Sequence, residues 1–343
     1  MPPSDPSREP APERRETAGR RLRDGVWRGD LAGAAEALDL EPGIVGDPGS
    51  HPVWGGRPDA LQLAAERGRV EIARLLLERG ADVGGNVEGY GWSPLQLAAN
   101  GGHRPVAELL LARGARLDIA SAALLGDAAA VGRLLEEDPA LAPAPALDEA
   151  PPLHYAATPG VARLLLDRGA APESVDPRGA TPLDSALGRG PRGRSVATLL
   201  IERGARPDPC HLAALGWTER LLRRVDADPA ALAFRGRIGV NEVVGTPLHA
   251  AVHAGHGALA RILIRRGADA SARADMGQTP LHLCATAGLA RLLVEAGADP
   301  AAVDDEHGTT PLTWARVGLE LHGDSPARRR LAEYLEQVTP GAR

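Results

Sequence analysis

The stretch Thr246–His256, TPLHAAVHAGH, places three histidines, His249, His253 and His256, within eight residues. His249 and His253 lie four apart, which on a helix puts both imidazoles on one face, as in a zinc hydrolase. The accessories of such a site are missing. HAAVH lacks the glutamate of a helical zinc-hydrolase motif, and no Cys, Asp or Glu in the stretch offers a third ligand. A metal site needs that ligand and an outer shell to orient the imidazoles. The histidines are therefore expected to be structural, with no metal, no cofactor and no enzymatic activity.

Two other features test the same way. GRGPRG, Gly188–Gly193, satisfies the spacing of a dinucleotide loop. It follows a helical segment rather than a strand, so it reads as a turn with two extra residues. Cys284 stands where related segments carry Ala, and a small buried thiol is the expectation there. All 39 basic residues are Arg, and the absence of Lys excludes a phosphate-loop, Schiff-base or general-base lysine.

Composition limits the partners. Hydrophobic residues make up 43% of the 343 positions and aromatics 3%, so the core must be aliphatic. The formal charge of −6, with both signs interspersed, argues against a general nucleic-acid binder. The two cysteines, Cys210 and Cys284, form no CxxC pair, and a reducing cytoplasm is expected. No run approaches 18 apolar residues, so membrane insertion is not expected. Residues 1–19 have no apolar core of a secretory signal. They are rich in Pro and charge and are expected to be a disordered tail.

One phrase recurs along the chain. It reads SPLQLAANGGH from Ser93, PPLHYAATPG from Pro151, TPLDSALGRG from Thr181, TPLHAAVHAGH from Thr246, TPLHLCATAG from Thr279 and TPLTWARVG from Thr310, with a weaker copy, DALQLAAERGR, from Asp59. A second phrase follows most copies, as in ARLLLERGAD ending at Asp82 and ARILIRRGAD ending at Asp269. Leu61 and Leu95 are 34 apart, and Leu248 and Leu281 are 33 apart. Physically, Thr or Ser caps a first helix and Pro occupies its first turn. Leu and Ala face a closely approaching neighbour. Gly102 or Gly255 allows the reversal, and the LLL stripe is buried. The Gly of GAD, as at Gly80 and Gly267, ends the second helix in the left-handed region.

These phrases resemble the ankyrin repeat. The resemblance implies an all-α solenoid of about ten helix-turn-helix units with finger-like β-turn loops, over residues 20–338. Three units lack TPLH: those from Leu22, Ile119 and Cys210. Ile119 follows Leu95 by 24 residues and Cys210 follows Leu183 by 27, leaving little room for a finger, whereas Glu41–Pro58, Asp138–Pro151 and Asp228–Gly245 are long. The expected division is a tail at 1–19, super-repeats at 20–118, 119–209 and 210–304, a capping unit at 305–338 and a tail at 339–343. The finger row should be broken twice.

By the same resemblance, His249, His154 and His282 bond the capping residue and a neighbouring finger, and partners bind the concave side through finger tips and first-helix ends. The positions that match are Glu66, Arg67, Tyr90, Trp92, Asn100, His253, Asp275, Met276, Gln278, Glu306 and His307. Trp54 and the Ala233–Gly245 finger, with Phe234, Arg235 and Arg237, join them because aromatic and Arg side chains anchor interfaces. Phe234 and the nearby valines have an alternative, which is to fold back as a short hairpin. The expected function is a monomeric, non-enzymatic scaffold for an unidentified protein. The alternatives are a groove for a small molecule or charged polymer, or a histidine-based metal enzyme.

Overall fold

The computed structural model describes residues 11–52, 56–85, 90–239, 243–322 and 325–341. It divides into two compact units, Met1–Ala170 and Ala171–Arg343. The first holds α1 (Ala11–Arg28) with α2 (Leu31–Leu40), α3 (Ala60–Glu66) with α4 (Val70–Glu78), and α5 (Pro94–Gly101) with α6 (Arg104–Ala112). It continues with α7 (Ile119–Leu125) and α8 (Ala128–Glu137), then 3-10 turns at Pro139–Leu141, Leu147–Glu149 and Pro152–Tyr155 before α9 (Pro159–Asp167). The second unit holds α10 (Pro182–Gly188), α11 (Arg194–Glu202), α12 (Pro209–Leu215), α13 (Thr218–Ala227), α14 (Pro247–His253), α15 (Gly257–Arg265), α16 (Ala287–Glu295), α17 (Pro311–His322) and α18 (Pro326–Val338). Among the described residues the strands are β1 (Gly236–Arg237) and β2 (Val244–Gly245), antiparallel, with Arg237 opposite Val244. The fold is all-α.

Capping sets where the helices begin. Ser93 accepts the amide of Gln96, and the Gln96 side chain returns a bond to the Ser93 amide at 2.8 Å. Asp59 and Gln62 form the same box. Such reciprocal caps satisfy two donors that a helix start leaves unpaired. The unit from Cys210, expected to lack the TPLH phrase, carries it in altered form as Asp208-Pro209-Cys210-His211. Asp208 accepts the His211 amide at 2.8 Å, and His211 Nδ1 accepts the Asp208 amide. Asp118 likewise caps α7, accepting the Ser121 amide. A carboxylate caps as well as a hydroxyl, so alignment on Thr and Ser alone overlooks these starts.

Burial follows the phrase. The middle residue of each LLL-type triplet, Leu76, Leu110, Leu165, Leu200, Leu263 and Leu293, is fully buried. Ala64, Ala98 and Ala250 are also fully buried, which lets first helices pack closely: α3 lies against α1 and α5, and α12 against α14. One aliphatic cluster runs from Ala18 to Leu110 and another from Cys210 to Leu335.

Two expectations need correction. Residues 11–19 are not a disordered tail, because they open helix α1. Ala18, Leu22 and Val26, four apart, form its buried stripe, and Arg15 pairs with Asp47 at 2.7 Å on the outer side. Ala, Arg and Glu are good helix formers, and their charge stays in solvent once that stripe is covered. Second, the TPLH phrase does not always start an α-helix. Leu248 to Gly267 spans 19 residues, but Leu153 to Gly169 and Leu281 to Gly297 span only 16. The missing three residues are nearly one helical turn. The first helix shrinks to a 3-10 turn at Pro152–Tyr155 and to hydrogen-bonded turns at 280–283. Thr158 and Thr286 then cap α9 and α16.

GRGPRG closes α10 with a 3-10 turn, Gly190–Gly193, after a helix as expected. A side chain at Gly193 would collide with the Ala186 carbonyl. The fingerless connectors are short in both units, Arg113–Leu117 before the Asp118 cap and Arg203–Pro207 before the Asp208 cap.

Candidate partner-binding fingers

In the first unit the finger side chains form a braced cluster. His51 lies between Trp27, edge-on at 5.5 Å, and Tyr90, stacked at 5.9 Å. Glu66 accepts from His51 Nε2 at 3.0 Å and from the Tyr90 hydroxyl at 3.4 Å. Burial and the Glu66 charge push the Tyr90 phenol up to about 12. The Arg67 guanidinium covers the Trp27 ring at 4.4 Å, a cation–π contact. Trp92 donates from Nε1 to Asp148 at 2.9 Å and meets Tyr155 edge-on at 6.5 Å. Tyr155 donates to the Leu147 carbonyl at 2.6 Å. Tyr90 and Trp92 are therefore half-buried braces rather than freely exposed anchors. The reason is geometric: neighbouring fingers stand close enough for aromatic edges to meet. Arg67 and Asn100, at the ends of α3 and α5, are exposed, and Trp54 lies outside the described residues.

The second unit laces its fingers through the backbone. The Asp275 amide donates to the Val244 carbonyl at 3.0 Å, and the Asp305 amide to the Met276 carbonyl at 2.9 Å. Asp275 accepts the Val244 amide in return. Arg235 donates to the carbonyls of Arg273 and Val244, and Arg237 to that of Arg178. The hairpin alternative holds in part: Ile238 and Val243 are buried, but Phe234 remains 39% exposed. Asp275, Glu306, His307 and His253 are exposed, and Met276 is half-buried. Gln278 is a correction: it is buried, not offered at a finger tip. Its carbonyl accepts from the Ala274 amide, closing the turn, and from His249 Nε2.

His249 and His282 take the places expected of them, whereas His154 is buried within the 3-10 turn Pro152–Tyr155. His249 Nδ1 accepts the Thr246 amide, and Nε2 donates to the Gln278 carbonyl in the next finger at 3.2 Å. Both ring nitrogens are thereby occupied, leaving no lone pair for a metal. Burial drives the His249 pKa down to about 4. His282 repeats the arrangement with Thr279 and the Thr309 carbonyl. His103 and His256 pin the first helix of the preceding repeat, at the carbonyls of Glu66 (2.9 Å) and Ala214 (3.0 Å). His103 lies over Gly68 and His256 over Gly216, at φ +67° and +71°, where a Cβ would strike the ring. Among the described residues no group of three or more potential metal ligands occurs.

Cys210 and Cys284 are buried free thiols, and burial pushes both pKa values up, which suits packing rather than nucleophilic attack.

Sequence reasoning missed three supports of these fingers. His51 and Trp27 lie in a degenerate unit with no phrase to align. Asp304 is buried behind the last finger and accepts the amides of Glu306 and His307, the Trp314 indole and Thr309. Burial would raise its pKa, but the bonds from Thr309, His307 and Trp314 outweigh it and hold the carboxyl below the usual range. Asp148 and Glu149 have positive φ, 47° and 59°, a region few residues other than Gly adopt. Asp176 plays a part similar to that of Asp304 ahead of the Thr181 cap, accepting the amides of Arg178 and Ala180, so an Asp shortly before the capping Thr is the sequence signal for this support.

Comparison with known proteins agrees with the repeat geometry. A family description, ankyrin repeats, matches residues 46–121, 230–304 and 248–320, and a single ankyrin repeat matches 148–177. An ankyrin repeat-containing protein of Schizosaccharomyces pombe is 37% identical over 94 residues, which cover 27% of this chain and 42% of that protein. The chain thus spans less than half the length of that relative.

Proposed function

Since the chain belongs to the ankyrin-repeat proteins, whose repeats are generally non-enzymatic modules for protein–protein interaction, we propose that it is a scaffold that binds a partner protein through its fingers and first-helix ends. The supporting observation is preorganisation. In the second unit the backbone bonds from Asp275 to Val244 and from Asp305 to Met276 hold the fingers in place, while Phe234, Asp275, Glu306 and His307 stay exposed. A surface already ordered loses less conformational entropy on binding. Phe234 beside Arg235 has the aromatic and guanidinium character of an interface anchor.

The protein works as a monomer in a reducing cytoplasm in this reading, which the buried free thiols support. Among the described residues no helix is long and apolar enough to cross a membrane. The test is quantitative capture with the intact chain and with a Phe234→Ala, His253→Ala, His307→Ala variant, whose changed side chains are exposed. Partners should fall about tenfold with the variant, a loss of about 1.4 kcal/mol. Partners retained at equal levels would refute the assigned face. Sedimentation of the intact chain checks the monomer.

A further inference from the structure

Each unit has one place where a second helix runs into the next first helix without a finger between: Arg113–Leu117 in the first and Arg203–Pro207 in the second. In the second unit the vacated space is crossed by the chain itself. Arg237, on β1, reaches the Arg178 carbonyl of the earlier finger, and Gly236 packs beside the Asp208 cap, where a Cβ would lie 2.7 Å from the carboxylate.

The corresponding finger of the first unit cannot do this. From Asp138 to Pro151 it is five residues shorter than from Asp228 to Thr246. It forms no hairpin, and PALAPAPALDEA contains no basic residue. The equivalent space is an open cleft of about 830 Å³ between Gly91 on one finger and Ala146–Asp148 on the other, floored by Leu117 and Gln96. Its charge is one-sided. Asp118, Glu137 and Asp148 line the cleft, with Arg116 as its basic lining residue among the described residues. Trp92 orients the Asp148 carboxylate through its indole, 2.9 Å away.

We propose that this cleft receives the arginine side chain of an extended segment of the partner protein, the guanidinium standing in the first unit where Arg237 stands in the second. The site rests on the reading that the chain binds a protein with its fingers, and it adds the chemistry of the ligand. A guanidinium suits the cleft because its planar fork of five donors can serve carboxylates and finger carbonyls at once. Acidic walls draw in a cation and disfavour anionic segments. Leu117, Leu141 and Leu147 in the lining accommodate the methylene stem.

The probe is acetyl-Gly-Ala-Arg-Ala-Gly-amide titrated into the full chain while the Trp92 indole N–H resonance is followed. A citrulline peptide of the same shape serves as the neutral control. A saturable shift is expected, weakened about tenfold or more for citrulline. It should weaken similarly in Asp148→Asn, which tolerates the left-handed backbone, and disappear in Ala146→Arg, which supplies a guanidinium from an exposed loop position. No saturable shift up to about 20 mM peptide, equal response to citrulline, or binding unchanged in both variants would each overturn the site. A captured partner that is lost in the Phe234 variant but indifferent to Ala146→Arg would sink this site and leave the scaffold reading standing. Equal capture by the Phe234 variant would instead sink the reading beneath it.

Discussion

The N3 position of each first helix shows how one hydrogen-bonding job is filled by different side chains. Gln62, Gln96, Asp184, His211 and His249 all return a bond to the cap amide. Most add a second bond, Gln62 to the Trp92 carbonyl, Gln96 to Asp118, His249 to the Gln278 carbonyl of the next finger and His211 to Asp184, and the histidines do so with a titratable ring. The cost is titration. The folded pKa of His249 is depressed to about 4 from an ordinary 6.5, so its neutral form is the one the fold prefers. Its contribution is complete above pH 6.5 and is lost as pH falls towards 4, by up to about 3 kcal/mol. His282 shifts in the same direction. For His211, burial lowers the pKa, but the Asp184 bond and the Asp208 charge raise it more, so its contribution fades as pH rises. His249→Gln keeps the box, as Gln96 does, and removes the titration. Urea midpoints measured from pH 7 to 4 should fall less steeply in His249→Gln than in the parent, and parallel curves would disprove the assignment. His249→Ala, which loses both bonds, should cost about 2 kcal/mol at pH 7.

At the scale of elements, the count of residues between two fixed points decides what forms. Where 19 residues separate Leu248 from Gly267, two helices fit. Where 16 separate Leu281 from Gly297, one turn and one helix remain, and the cap moves to Thr286. Thr286→Ala should therefore destabilise by about 1 kcal/mol, and Thr158→Ala similarly. Asp208 tests whether cap chemistry or charge matters at α12. Asp208→Thr should retain most of the stability while Asp208→Ala loses about 1–2 kcal/mol, read from denaturant midpoints at constant m.

For the molecule as a whole, repetition makes stability local. Each buried leucine of the second-helix stripe contacts its own repeat and the adjacent ones, and such arrays sum neighbour terms instead of sharing one core. Leu263→Ala should cost about 2–5 kcal/mol. In hydrogen exchange the loss should appear in α13–α16, with amides of α1–α6 unchanged. Uniform loss of protection along the chain would show that the cooperative block is larger than this.

The repeat, the caps at Ser93 and Thr246, the buried leucine stripe and the roles of His249 and His282 were legible in the residues, because each depends on partners within one or two repeats. The same locality explains what could be misread. Asp208-Pro209-Cys210-His211 is the phrase in other letters, and the α1 helix looks like a charged tail until its stripe of Ala18, Leu22 and Val26 is seen against α2 and α3. Tertiary structure alone decided how freely the finger residues face solvent. Tyr90 and Trp92 brace neighbouring fingers, Gln278 turns inward, Phe234 stays out, and the gap that Arg237 fills in one unit stands open in the other. Spacing along a chain dictates which backbone groups must be capped, but exposure depends on what the next finger places alongside, and no single repeat encodes its neighbour.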